Sequence, residues 1–137
     1  MQPLLLDTCA VIWLGEDEPI KPEATELLNE AYRQGVRTFV SPITAWEIGL
    51  LISRERLRLI ITPENWFGRI LDLPGMALAE LSPKVLIASS FLPGKAPRDP
   101  ADRIIAATAR DLGATLITRD SHLLGYGKQG HVNVVAC

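Results

Sequence analysis

Four dipeptides, Ser41-Pro42, Thr62-Pro63, Ser82-Pro83 and Asp99-Pro100, constrain this chain more than any other feature. Each joins a side chain suited to helix capping to a proline at the first helical position, where the missing N–H removes nothing. Short apolar runs stand between the helices so marked. Leu4-Leu5-Leu6, Thr38-Phe39-Val40, Ala77-Leu78-Ala79-Glu80-Leu81, Thr115-Leu116-Ile117-Thr118 and Val132-Asn133-Val134-Val135 read as strands. Leu4 to Leu6 has the unbroken apolar character of a strand covered on both faces. Helical spacing runs from Cys9 to Leu14, stopped by Gly15, and from Pro22 to Gln34, closed by Gly35. It runs again from Pro42 to about Ser53, from Pro63 to the stop at Pro74-Gly75, from Pro83 through Ala88, and from Pro100 to Gly113. Strands that alternate with helices predict a three-layer α/β/α domain with a mainly parallel sheet of about five strands, because parallel neighbours need helical crossovers. The ligand site of such a fold lies at the carboxyl ends of the strands.

The 137 residues, 47% of them hydrophobic, suit a single domain over 1–137. A net charge of −2 provides no global basic field, so any contact with a polyanion has to come from a local patch. Cys9 and Cys137 lie far apart with no C-x-x-C spacing, which argues against a disulfide framework and for a reduced, cytoplasmic setting. No apolar run approaches the eighteen or so residues of a membrane span, and no membrane partner is expected. Leu92-Pro93-Gly94-Lys95-Ala96-Pro97 reads as a turn-rich connection.

The acids carry the functional signal. Asp7 directly follows the three leucines, and Asp120 follows Leu116-Ile117-Thr118-Arg119, so both stand at strand ends. Each has two readings, a helix cap or a ligand. Asp99 reads as the cap of the helix that begins at Pro100, and Asp102 falls in that helix's first turn, where the dipole favours a carboxylate. Glu47 sits mid-helix among Ile43, Trp46, Ile48, Leu50 and Leu51. An ionised Glu on an apolar face costs several kcal/mol unless it is paired with a cation or binds a metal. An arginine partner is the alternative.

Asp7, Glu47, Asp102 and Asp120 together form an all-oxygen set of the kind Mg²⁺ or Mn²⁺ prefers. His122 and His131 are too few and too scattered for zinc. An ion held there would acidify a bound water, orient it for attack on a phosphodiester and neutralise charge on the leaving oxygen. Thr8 and Thr118 adjoin two of the acids and are candidates to orient them. Arg54, Arg56, Arg58, Lys95, Arg98, Arg103 and Arg119 are candidates for local phosphate contacts, Arg56, Arg58, Arg98, Arg103 and Arg119 foremost. Trp13, Trp46, Trp66 and Phe67 are expected in the core, with a dimer seam or partner groove as the alternative.

These residues also carry a resemblance. Leu6-Asp7-Thr8, Ser41-Pro42-Ile43-Thr44-Ala45-Trp46-Glu47-Ile48, Arg98 through Ala109, and Leu116-Ile117-Thr118-Arg119-Asp120 stand in the order and spacing of PIN-domain proteins. The chain most resembles the VapC toxins of type II toxin-antitoxin pairs. The resemblance implies a PIN-like fold and assigns the family's acidic quartet to Asp7, Glu47, Asp102 and Asp120. It implies a Mg²⁺- or Mn²⁺-dependent endoribonuclease that cleaves tRNA or rRNA. A VapB-type antitoxin and a homodimer are the expected partners. Many relatives have a His two residues before the position of Asp99, where this chain has Pro97. Two other classes compete: a PIN-like module that binds RNA or protein without cutting, and a haloacid-dehalogenase-type phosphatase with Asp7 as nucleophile. Retention of all four acids argues against the first, because a binding module has no reason to keep a buried Glu47. Against the second, the acid it requires two residues on is Cys9 here.

Overall fold

A computed structural model describes residues 1–137. Its sheet has five strands, β1 (Leu4–Leu6), β2 (Thr38–Val40), β3 (Met76–Leu78), β4 (Thr115–Thr118) and β5 (Asn133–Ala136), in the spatial order β3-β2-β1-β4-β5. Every neighbouring pair is parallel. The helices are α1 (Thr8–Gly15), α2 (Pro22–Arg33), α3 (Pro42–Ser53), α4 (Pro63–Asp72), α5 (Pro83–Ala88), α6 (Pro100–Leu112) and α7 (Ser121–Lys128).

The central strand β1 shows why the sheet needs two covering layers. Leu4, Leu5 and Leu6 are each at most 1% exposed. Side chains alternate across a strand, so Leu4 and Leu6 join one core cluster with Val11, Val40, Ile48 and Trp66, while Leu5 joins the other with Ile105, Leu116, Leu123 and Tyr126. On α6 the small residues Ala106 and Ala109 are fully buried in that second cluster, which lets the helix lie close to the sheet.

All four cap-proline pairs form the caps expected of them. Ser41 Oγ accepts from Ile43 N, Thr62 Oγ1 from Asn65 N, Ser82 Oγ from Val85 N, and Asp99 Oδ1 from Asp102 N. The boundaries of the two outer strands differ from those expected. β3 occupies Met76–Leu78 rather than Ala77–Leu81, because pairing with β2 ends at the Ala79 N to Val40 O bond of 2.8 Å and the chain then turns toward α5. β5 sits one residue later than expected, at Asn133–Ala136. Both are edge strands, where one-sided pairing leaves the register less determined by burial. Trp46, expected in the core, is 58% exposed, whereas Trp66 is buried against Gly15 at the end of α1.

Candidate functional site

In a parallel sheet all strands deliver their carboxyl ends to one side, and the four selected acids arrive there by different routes. Asp7 leaves β1 and caps α1. Asp120 leaves β4 and caps α7, with Oδ1 accepting from His122 N (2.9 Å) and Leu123 N (3.0 Å). Asp102 stands in the first turn of α6, presented by the Asp99 cap. Glu47 comes from the second turn of α3, which starts where β2 ends.

Threonine hydroxyls tie the acids to one another and to the sheet. Thr118 Oγ1 donates to Asp7 Oδ2 (2.6 Å) while accepting from Asp120 N (3.0 Å), so a single hydroxyl spaces two of the carboxylate-bearing segments. Thr8 N donates to Asp7 Oδ1 (2.8 Å), and the Thr8 hydroxyl donates to Glu47 Oε1 (2.6 Å). That hydroxyl also lies 3.0 Å from Thr44 Oγ1. Since its only proton goes to Glu47, Thr44 is the donor in that contact. The sequence reading missed Thr44, although it lies three residues before Glu47 on the same helix and spacing could have flagged it.

Electrostatically the cluster is uncompensated. No Lys or Arg forms an ion pair with any of the four acids; the partner nearest to one is His122, whose Nδ1 lies 3.8 Å from Asp120 Oδ1. The arginine partner considered for Glu47 is absent. Burial raises the Glu47 carboxyl above the usual carboxylate range despite the Thr8 hydrogen bond, with Asp7, Asp99 and Asp120 adding to the rise. Asp7 is raised by burial too, although Thr118, Thr8 and Cys9 all donate to it. Asp102 is pushed up to about 7, first by burial and then by the charges of Asp120, Asp7, Asp99 and Glu47. Buried or half-buried acids this close to each other ionise together at a cost, which a nearby positive charge would offset.

A hard divalent cation fits that role. No three acidic, His or Cys side chains gather closely enough to coordinate one ion together. An ion of the Mg²⁺ kind, which binds one or two carboxylates directly and keeps several waters, does not require that convergence. Asp7, Asp102, Asp120 and Glu47 are the residues that would hold it.

Two cysteines, far apart in sequence, meet beside this cluster. Cys9 Sγ lies 3.4 Å from Asp7 Oδ2, and both thiols are free. Cys137 is lowered below the usual thiol range, first by the neighbouring Cys9 and then by Arg119. Cys9 is correspondingly raised by Cys137, burial and Asp7. The candidate phosphate-binding arginines separate into two groups. Arg103 donates to Ser89 O (2.8 Å) and Pro97 O (2.9 Å), and Arg119 donates to Cys137 O (3.0 Å) while its guanidinium lies 3.5 Å from the Trp13 ring centroid. Both are committed to the protein's own framework. Arg56, Arg58 and Arg98 are exposed.

An all-parallel sheet with this strand order and an acidic cluster at its carboxyl edge defines a class. The chain belongs to the PIN domain family, whose model matches residues 4–128. Among individual proteins it is similar to Ribonuclease VapC22 of Mycobacterium tuberculosis (strain ATCC 25618 / H37Rv), at 30% identity over 124 residues, 90% of this chain and 91% of that one. Its fold matches that of VapBC2 from Rickettsia felis bound to a DNA fragment from their promoter, with a TM-score of 0.69 at 14% identity over 98% of both chains. DNA-bound VapBC from Salmonella typhimurium superposes with a TM-score of 0.66 at 19% identity, over 99% of this chain and 98% of that one. No helix is long and apolar enough to cross a membrane.

Proposed function

We propose that this protein is a Mg²⁺- or Mn²⁺-dependent endoribonuclease toxin of the VapC kind, cutting tRNA or rRNA in the cytoplasm. The observation that carries the proposal is the cluster of Asp7, Glu47, Asp102 and Asp120, none of them paired with a Lys or Arg, in which burial raises the carboxyls of Asp7, Glu47 and Asp102. Similarity to a protein named Ribonuclease VapC22 supports the nuclease reading. The VapBC complexes among its structural neighbours support a VapB-type antitoxin as partner. A homodimer is the assembly we expect.

When bound, the divalent ion supplies an acidified water and charge neutralisation at the phosphodiester. The chain's own residues determine where that chemistry happens. Thr118 holds Asp7 through Oδ2 and, through the Asp120 backbone, fixes the spacing of the β1 and β4 ends. Thr8 points Glu47 inward, and Thr44 in turn orients Thr8. Asp99 sets the first turn of α6 and therefore the position of Asp102. Hydroxyl supports of this kind keep acidic ligands from turning away when unbalanced charge would push them apart.

The test is cleavage of total cellular RNA in Mn²⁺ by the wild type beside Asp7→Asn and Glu47→Gln variants of confirmed fold. The wild type is expected to cut, and each variant to lose on the order of 10²–10³ in rate, the scale for removing one pre-organised electrostatic group. Equal cleavage by all three proteins, or none by any, overturns the proposal. Growth arrest on expression, relieved by the same substitutions, separates a toxin from a housekeeping nuclease.

A further inference from the structure

Between α5 and α6 the chain runs without regular structure, yet side chains from other segments grip its backbone. Arg103 of α6 donates to Ser89 O and Pro97 O, and the Tyr126 hydroxyl of α7 donates to Pro93 O (2.7 Å). Gln129, just past α7, closes a two-point amide clamp on Lys95: Oε1 accepts from Lys95 N (3.0 Å) and Nε2 donates to Lys95 O (3.1 Å). Gly94 has φ +66°, and a Cβ there would come within 2.5 Å of His131 Nε2 and 2.6 Å of Gln129 Oε1, so the turn beside the clamp favours glycine. Irregular connections are ordinarily the mobile part of a domain. This one is held in place.

The clamp shapes a cavity of about 580 Å³ between the loop and α7. Lys95 and Arg98 stand on one wall together with the carboxylates of Asp99 and Asp102, and Ser121, His122 and Gln129 stand on the other. The cavity therefore opens onto the acidic cluster through Asp102. Its volume falls within the range of about 300–1,000 Å³ that takes a small organic ligand. Lys95 and Arg98 are exposed, and neither is in an ion pair. With a net charge of −2 and the acids repelling a polyanion, RNA needs local cations beside the cluster, and Arg103 and Arg119 are already committed elsewhere.

We infer that this cavity is the subsite for a nucleotide flanking the scissile phosphodiester of single-stranded RNA, with Lys95 and Arg98 binding its phosphate. The inference rests on the nuclease reading of the acidic cluster. A pocket of this size admits one splayed-out nucleotide and excludes a base-paired duplex, the way single-stranded RNA is usually read. Pre-organisation by Gln129, Tyr126 and Arg103 means that little ordering cost falls on binding.

The experiment measures binding of a fluorescently labelled single-stranded oligoribonucleotide to the full-length Glu47→Gln protein over a salt series, with and without Lys95→Ala/Arg98→Ala. Each phosphate contact on a single strand adds about 0.7 to the slope of log K against log salt, so the double substitution is expected to lower the slope by about 1.4. In the cleavage-competent protein the same pair raises KM about tenfold with kcat nearly unchanged, the signature of lost uniform binding. Arg37→Ala, which removes an exposed cation at the amino end of β2, on the side of the sheet opposite the acids, leaves the slope unaltered. Equal affinity and slope with and without the double substitution overturns the subsite, even if the wild type cleaves. Absence of RNA binding by the parent protein overturns it as well. Binding with the expected loss of slope, but no cleavage by the wild type, upholds the cavity as a site for single-stranded RNA and removes the nuclease reading, and with it the scissile bond, instead.

Discussion

At the amino ends of the strands, a cavity of about 760 Å³ is walled by Leu14, Ile20, Leu28, Val36 and Met76. At the carboxyl ends, the smaller cavity of about 580 Å³ is lined by charged and polar groups and touches Asp102. The larger and more apolar hollow also bears two acids, Asp17 and Glu18, but both are exposed to water. The acidic end has to hold groups whose ionisation burial opposes, while the apolar end gains stability from every carbon it covers. Volume and greasiness do not locate chemistry in this molecule. Carboxylates that are buried or half-buried and lack counter-cations do.

Three substitutions or conditions probe that contrast, beginning with the largest effect. Trp66 is 6% exposed and closes over Gly15 at the end of α1. Trp66→Ala is expected to cost about 3–5 kcal/mol and to lower the melting temperature by roughly 10 °C or more. The rise in melting temperature produced by Mn²⁺ should survive it. Calorimetry with and without Mn²⁺ checks both, and loss of the Mn²⁺ response would mean that the two ends are not independent.

The acidic end should respond to pH instead. Asp102 has its folded pKa raised from an ordinary 3.8 to about 7. Between those values the folded protein binds more protons than the unfolded chain, so stability falls as pH rises through the window. The metal-free melting temperature should therefore decline from pH 5 to pH 8. Saturating Mn²⁺ should remove most of the decline, and Asp102→Asn should flatten it. A metal-free melting temperature that rises over this range contradicts the assignment of Asp102 to an uncompensated cluster.

The smallest effect belongs to the cap that joins the acidic end to the fold. Asp99→Ala removes the acceptor for Asp102 N and should cost about 1 kcal/mol, whereas Asp99→Asn keeps most of it. Denaturant unfolding of the two variants gives the difference. If Asp99→Ala also weakens the Mn²⁺ response and Asp99→Asn does not, the cap positions Asp102 as well as stabilising α6.

Much of this was readable from residue order. The cap-proline pairs placed four helices, and each cap forms with the backbone N–H expected of it. The same local chemistry marked Asp7 and Asp120 as caps, which they are, without deciding whether they are also ligands. Glu47 stood out because a charge mid-helix among apolar neighbours has no local explanation. Its partner was not readable, since Thr8 is contributed by a different helix. Arg103 and Arg119 looked like phosphate binders because a sequence counts cations without showing what already occupies their donors. Trp46 looked like core because hydrophobicity does not say which face of α3 the sheet covers.

The sequence by itself determined most of the elements, the starts of the cap-proline helices and the kinds of side chain available to a metal. These follow from contacts within a few residues, where capping, proline and apolar spacing act. The tertiary structure decided which of those side chains meet. Placing β1 between β2 and β4 brings Thr118 to Asp7 and Cys137 to Cys9, and it gathers four acids from four elements at one edge. The loop from Ser89 to Asp99, a run of turn residues on paper, became a fixed wall only through Arg103, Tyr126 and Gln129. Such encounters depend on burying both faces of a sheet at once, a condition set by the whole chain and not by any stretch of it.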